Sequence, residues 1–519
     1  MVLLGAELLN FGTGSRFLTA ELIAWESQDC KTSIRKFFLK DFQPLVLRRE
    51  TTLAGHVDDQ QHLPLEASQG DRLATERRDA DLIQTALRCS CRDRHCSDAS
   101  IKTLPDDSPQ PPGKHGRAAL AFIFITVVLD MLALGMIIPV LPKLIEDFQG
   151  GDTASAARMI GVFGTLWASA QFIAGPILGA LSDRFGRRPV VLISNFGLGL
   201  DYIFMALAPT LGWLIAGRMI SGVTSASIAT AFAYVADVTA PEKRARSFGL
   251  MGAAFGIGFI IGPAMGGLLS SVSPRLPFWV SAALSLTNGM YGLFILPESL
   301  APDRRAPFSW RRANPLGALQ FLRSHPQLFG FATIHFLYNL AHQSLPSIFV
   351  LYAGYRYGWT TTDVGWAMTG VGVCFAIVQG GLVGPLVAAF GERRTLVAGL
   401  IFGAVGMAIY GWAPTSFWFA LGIPVMAMWG LYGPSAQGLM TRRVGPSAQG
   451  RLQGSLSSVT GITGIIGPGV FSFTFAASIG PLRGWNMPGT GFLLASALLV
   501  TGACIGIVLT GNRYRVSDR

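Results

Sequence analysis

Residues Gly179–Pro189 read GALSDRFGRRP, a dense run of charge between two segments that are almost purely apolar. Upstream, residues 160–178 read IGVFGTLWASAQFIAGPIL; downstream, residues 190–208 read VVLISNFGLGLDYIFMALA. Each is close to the roughly 20 residues a helix needs to cross a bilayer. The loop between them is therefore short and tightly turned, with Gly179 and Gly186 supplying backbone freedom. Its arginines, Arg184, Arg187 and Arg188, assign it to the cytoplasmic side, where short loops collect Lys and Arg.

Composition points the same way. Half of the chain is hydrophobic, only 14% is charged, and mean hydropathy is +0.44. Soluble chains carry about a quarter charged residues. The net charge of +11 does not imply a nucleic-acid partner, because the arginines sit in short loops between apolar spans and record membrane orientation. The 62 glycines suit close helix packing in lipid. Six cysteines make no disulfide framework, and Cys374 and Cys504 lie in apolar spans as small hydrophobes.

The rest of the chain extends the pattern. Apolar spans cover about 118–141, 159–181, 190–209, 212–235, 247–270 and 277–296, then 327–352, 364–389, 395–412, 415–439, 452–477 and 489–510. This predicts an all-α integral membrane fold of twelve helices, numbered spans 1 to 12. Two six-helix halves (117–296 and 327–510) flank a central loop, 297–326, and residues 511–519 form a tail. The even-numbered loops and the tail hold nineteen Lys and Arg against five in the odd-numbered loops, which places both termini in the cytoplasm. The loop after span 8, GPLVAAFGERRT, is a worn copy of GALSDRFGRRP. Repeated halves with a site at the midplane between them are a transporter architecture.

Residues 1–116 differ. They are polar, charged and Pro-punctuated, and read as a disordered extension, or as sequence ahead of the true start. No Met lies between Met1 and Met131, so a non-Met codon would have to supply such a start. The opening MVLLGAELLNFGTG is interrupted by Glu7 and has no signal-peptide pattern. Cys89, Cys91, His95 and Cys96 are poorly spaced for zinc, and no metal or cofactor is expected.

Ionisable groups inside a span are costly unless they face a cavity or a partner, so each is a functional candidate. Asp130 sits in VVLDMLALGMIIPVLP and Asp201 in GLGLDYIFMA; either is a proton-coupling candidate. Arg218 is the arginine inside a span and needs a carboxylate or carbonyl partner, with Asp130 one candidate. Ser221 and Ser225 extend it into a polar stripe. In span 7, His335, Asn339 and His342 fall on one helix face, with Gln343 beside them and a kinking Pro346 after them. Histidines there can line a cavity and titrate near neutral pH. Trp429, Tyr432 and Gln437 of span 10 make a possible aromatic wall. In span 5, GIGFIIGPAMGGLL packs Gly258, Gly262, Gly266 and Gly267 around Pro263, a bend with a bare face for a neighbouring helix. There is no phosphate loop and no nucleophile elbow, so the chain is not read as an enzyme or an ATP-driven pump. An ion gradient is left as the energy source.

These stretches resemble known motifs. GALSDRFGRRP is similar to the signature loop between helices 2 and 3 of the major facilitator superfamily, and GRMISGVTSAS to its fourth-helix motif, with Arg218 in the arginine position. GFIIGPAMGG resembles its fifth-helix antiporter motif. With LDMLALGMIIPVLP and GLGLDYIFMALAP, the closest likeness is to the tetracycline/proton antiporters, over about 118–510. The resemblance implies that Asp130, Asp183 and Asp201 are acidic residues needed for transport. It implies that Arg187 pairs with Asp237 at the end of span 4, and that Asp183 approaches the N-terminus of span 11. Gln343 and Gln379 fall at polar positions of the family's second half. Where those exporters carry an aspartate in span 9 this chain has Gly403, and Phe375 replaces their span 8 histidine. The second-half charge is missing or moved to His335 and His342, which weakens the case for metal-chelated tetracycline as cargo but leaves proton-coupled efflux.

The resulting expectation is a monomeric inner-membrane transporter that exports an amphiphilic small molecule against protons by alternating access. Its cavity would be lined by spans 1, 4, 7 and 10. Uptake of a sugar or metabolite in the same fold, or a non-transporting receptor or assembly factor, are the alternatives.

Overall fold

The computed structural model describes residues 114–510, apart from 225–226, 240–242, 311–313, 315–316, 318 and 446–447. Ser225 and the Cys89–Cys96 cluster lie outside the described residues. Helix dominates throughout. Ten stretches are long and apolar enough to cross a membrane. One of them, Thr361–Trp412, holds two spans that meet at Gly391, whose φ of 78° is not helical. Span 7 is broken into Pro326–His342 and Ser344–Tyr357 and adds one more. The described helices therefore make twelve spans.

Three irregular points in the second half share one cause. A proline has no N–H to give the carbonyl four residues back, and its ring crowds that carbonyl. Span 7 breaks at His342, four residues before Pro346. Span 8 contains a π turn, Val378–Leu382, ahead of Pro385. Span 10 contains a 3-10 turn, Met428–Leu431, ahead of Pro434.

The first half stays regular. Span 1 is Lys114–Ile137 with a short continuation, Leu141–Phe148. Span 2 is Thr153–Phe185, started by the Asp152 side chain accepting from the Ala154 N–H at 3.0 Å. Spans 3, 5 and 6 are Arg187–Leu207, Arg244–Val272 and Leu276–Ile295; span 4 runs through Leu211–Thr224 and Ser227–Val238. Span 9 follows Gly391 to Trp412, and spans 11 and 12 are Gln449–Ile479 and Thr490–Thr510.

The halves meet along two seams of small residues. In the first, span 2 lies on span 11: a Cβ at Gly161 or Gly164 would meet Pro468 within 3.2 Å, and Thr165 Oγ1 donates to the Ile465 carbonyl at 3.0 Å. In the second, span 5 lies on span 8. Thr362 Oγ1 donates to the Gly267 carbonyl at 3.0 Å, Thr369 Oγ1 donates to the Ile260 carbonyl at 2.8 Å, and Ser270 and Thr361 hydroxyls are 2.6 Å apart. Gly258, Gly262 and Gly266 turn the other way, onto Met131–Met136 of span 1. The bare face expected from the span 5 glycines thus serves two neighbours at once. Both seams lie toward the end of the bundle away from the arginine loops. At the arginine end the helices part, and a Cβ at Gly175, Gly179, Gly252, Gly256, Gly380, Gly384 or Gly450 would meet nothing within 4 Å.

Candidate functional site

Between the halves lies a cavity of about 710 Å³. Its walls are apolar for most of their area: Ile137, Ile138 and Leu141 of span 1, Phe163 and Phe172 of span 2. Polar groups enter at few points: Gln171, Arg218, Gln343, and Ser457, Ser458 and Thr460 of span 11. Pro176, Gly454 and Asn314 border it toward the arginine loops. A cavity of this size, mostly apolar with a few convergent polar groups, suits a drug-sized ligand. Trp167 adds a directed donor, since its indole N–H is buried with no protein partner. The walls therefore come from spans 1, 2, 4, 7 and 11, not from the expected set of 1, 4, 7 and 10.

Behind the Arg218 wall, spans 1, 3 and 4 bring the first-half charges together. Asp201 is fully buried and faces the Arg218 guanidinium and the Ser221 hydroxyl. Its Oδ1 sits so close to span 4 that a Cβ at Gly217 would lie 2.7 Å away, so that glycine admits the carboxylate. Tyr202 lies within the fields of Asp201, Arg218 and Asp130, and Asp130 is itself buried. Arg218 thus borders the cavity while its charge acts on a buried acidic cluster, its Nη2 donating to Met205 Sδ at 3.7 Å. Asp130, Asp201 and Ser221 stand behind the cavity and not on its surface.

The expected span 10 wall packs inward. Trp429 and Tyr432 are 3% and 1% exposed; Tyr432 stacks on Tyr338 of span 7, and Trp429 meets the same ring edge-on. Trp429 also covers Gly403, where a Cβ would meet its ring at 2.9 Å, and it contacts the exposed His342 ring at 5.5 Å between centroids. The Asn339 amide donates to the His335 carbonyl of its own helix at 2.7 Å. Gln379 lies exposed in the π turn beside Gly430, which Phe375 also touches. Of these second-half residues only Gln343 lines the large cavity. His335 and Gln437 line a separate recess of about 310 Å³ with Gln453, Leu456, Ser457 and Thr460.

The opening loop forms a compact polar joint. Arg187 donates through Nη1 to Asp183 at 2.5 Å and through Nε to Asp237 at 3.1 Å, and Arg188 donates to the Leu293 carbonyl at 2.6 Å. Arg184 stacks over Phe185. Gly186 adopts φ 107°, a conformation that L side chains rarely take. Glu298, just after span 6, accepts from the backbone N–H groups of Arg187 at 2.8 Å and Arg188 at 3.2 Å. These are free donors at the start of span 3, where the helix dipole also favours an anion. Asp183 is about half exposed and directs its charge to Arg187; among the described residues no hydrogen bond or ion pair joins it to span 11.

The family model described as the Major Facilitator Superfamily matches residues 123–468 and 331–519. The chain belongs to the major facilitator superfamily. It is 39% identical over 401 residues to a tetracycline resistance protein, class C, of Escherichia coli, covering 77% of this chain and 98% of that protein. It is 34% identical to the class H protein of Pasteurella multocida, covering 74% and 95%. Among solved structures, the nucleoside transporter NupG superposes with a TM-score of 0.63 at 15% identity, covering 76% of this chain and all of that one. That likeness shows the superfamily fold and nothing finer. The chain is thus a multi-pass membrane transporter and not an enzyme.

Within that superfamily frame, sequence reasoning missed three groups. Trp167 was read as part of an apolar span, although a tryptophan beside Gln171 at i+4 signals a helix face that is not all lipid. Ser457, Thr460 and Gln453 make a polar stripe in span 11 that was open to inspection. Glu298 gave no local sign, because its partners lie more than a hundred residues earlier.

Proposed function

We propose that this chain exports an amphiphilic, drug-like small molecule in exchange for protons, alternating between a cavity open to one side of the membrane and to the other. The observation that carries the reading is the 39% identity to a tetracycline resistance protein across nearly all of that protein, joined to a drug-sized cavity whose wall touches a buried acid–arginine cluster. The nineteen-to-five bias in Lys and Arg supports an inner-membrane placement with both termini in the cytoplasm. On that orientation the cavity described above opens to the cytoplasm, the side from which an exporter loads. We take the working unit to be a monomer, since each half already finds its partner within the chain.

Coupling is assigned to Asp130 and Asp201. Arg218 attracts the ionised form of a nearby carboxylate, and protonation removes that attraction, which lets the guanidinium rearrange toward the cavity. Cargo would meet Phe163, Phe172 and Trp167 as apolar and stacking surfaces, with Arg218, Gln343 and Gln171 as polar contacts. Tetracyclines are the first compounds to try because of the relatives' names. A metal-chelated form is disfavoured, since Gly403 is backed by the Trp429 ring and leaves no room for an acid there.

The test is drug-dependent dissipation of an imposed pH gradient in everted vesicles, run across an antibiotic panel. Asp130→Asn should abolish the response while the protein stays in the membrane. Full activity in that variant, or a gradient response only to sugars, would sink the assignment.

A further inference from the structure

We propose that His335 and the recess beside it are the site from which the second half of the transporter releases its coupled proton to the arginine-loop side. This deepens the efflux reading and rests on it for the direction of flow.

Spans 7 to 12 contain no carboxylate at membrane depth: the acidic side chains beyond residue 327 are Asp363, at the first turn of span 8, Glu392, in the loop after it, and Asp518, in the tail. Any titration in this half near neutral pH falls to histidine. Two histidines are present, and their surroundings differ. His342 lies against Trp429 and borders neither cavity. His335 has a hydroxyl at each ring nitrogen, Tyr432 at 3.5 Å from Nδ1 and Thr460 at 3.3 Å from Nε2. It also forms the inner wall of the recess.

The shape of that recess fits a water-filled path. Two carboxamides, Gln437 and Gln453, and two hydroxyls, Ser457 and Thr460, line it. Its 310 Å³ would hold on the order of ten waters at their liquid volume. Gln437 lies four residues before the end of span 10 and Gln453 four residues after the start of span 11, both at the arginine-bearing end. His335 lies nine residues into span 7, about 14 Å along its axis from the same end. Ser457 and Thr460 belong to the large cavity as well. One wall therefore separates cargo from imidazole, and a change on either side is felt on the other.

The charged and titratable neighbours are few. Span 10 presents Tyr432. Span 11 presents Arg451 near its start, with its guanidinium over Phe321. Arg443, past the end of span 10, covers Phe331 of span 7. Span 12 packs against span 7 through apolar residues such as Leu509 and Ile505, with Cys504 nearby. Both nearby arginines are cations, and no local acid holds a proton that arrives on His335. In the release step the imidazolium N–H bond breaks, its electron pair stays on nitrogen, and the proton leaves on a recess water.

The experiment has two arms on the full-length chain. Diethylpyrocarbonate, read by mass spectrometry, should label His335 in everted vesicles at least tenfold faster than in right-side-out vesicles. Thr460→Val with Gln453→Leu, which dries the recess but keeps the imidazole, should remove that labelling. In the second arm, tetracycline is the probe: His335→Gln should keep tetracycline counterflow within about twofold while gradient-driven accumulation falls at least tenfold. Slow labelling from both sides would overturn the proposal, and so would parallel loss of counterflow and accumulation. Labelling needs no cargo, so its failure counts against the recess alone; an unsubstituted chain that moves no compound counts against efflux.

Discussion

The loops after span 2 and after span 8 descend from one pattern, yet they are wired in opposite senses. Each turns at a glycine with positive φ, Gly186 at 107° and Gly391 at 78°. Each follows that glycine with a charged residue that reaches the end of the span two further on. In the first half this is Arg187 to Asp237; in the second it is Glu392 to Arg442 at 2.9 Å, with the charges exchanged. The environments also differ. The Arg187 side chain is 13% exposed and is shared by two carboxylates, whereas Arg442 is 76% exposed. An exposed pair contributes little, about 0–1 kcal/mol, while removing one member of a sheltered cluster leaves charges without partners. The turn is what the repeat preserved; the direction of the ion pair was free to invert, because either sign ties the loop to the same helix end.

Breaking the joints should separate them. Arg187→Ala leaves Asp183 and Asp237 facing each other without their shared cation. Gradient-driven efflux in vesicles should fall at least tenfold, against less than twofold for Arg442→Ala at matched protein levels. Equal losses would mean that burial does not set the difference. Next in size is the glycine contrast. A methyl at Gly186 would collide with the Glu298 carboxylate, whereas one at Gly391 meets nothing and carries only the backbone strain of about 1 kcal/mol. Gly186→Ala should lose severalfold in activity and Gly391→Ala little. Glu298→Gln, which keeps the acceptor oxygen but not the charge, should lie between Gly186→Ala and the unsubstituted chain.

A subtler experiment imports the second-half polarity into the first. Arg187→Glu with Asp237→Arg rebuilds the pair in the opposite sense but sets the new Glu against Asp183 one turn earlier, where like charges repel. Recovery should be partial, and adding Asp183→Ala should improve it by a few-fold, since Ala388 already occupies the corresponding place in the other loop. If the double variant alone is fully active, Asp183 has no claim on Arg187.

The same contrast explains what could be read in advance. The spans, their number and the first-half charges were legible because an ionisable side chain in an apolar run has few tolerable positions. Asp130, Asp201 and Arg218 met as a group for that reason. The second half misled because its helices are not straight. Trp429 and Tyr432 were assigned a face on the 100° step of an α-helix, but the 3-10 turn at Met428–Leu431 advances about 20° more per residue and swings both rings into the packing. The recess drew on Ser, Thr and Gln residues whose types are ordinary in membrane helices. Glu298 acts on backbone N–H groups, and no side-chain pattern advertises such a partner.

The parted ends of spans 5 and 8 carry a further consequence, for how mutations will be judged. A methyl at Gly252 or Gly384 touches nothing in this conformation. It also raises helix propensity, by roughly 1 kcal/mol for Gly→Ala. Such a variant should melt higher than its parent. Any arrangement that closes this end must bring those faces together, and there the methyl stands in the way; 1.4 kcal/mol against one state alone shifts the populations about tenfold. Thermal stability and turnover would then move in opposite directions from a single carbon atom. A screen that ranks variants by melting temperature would select proteins stalled with the arginine-loop end open.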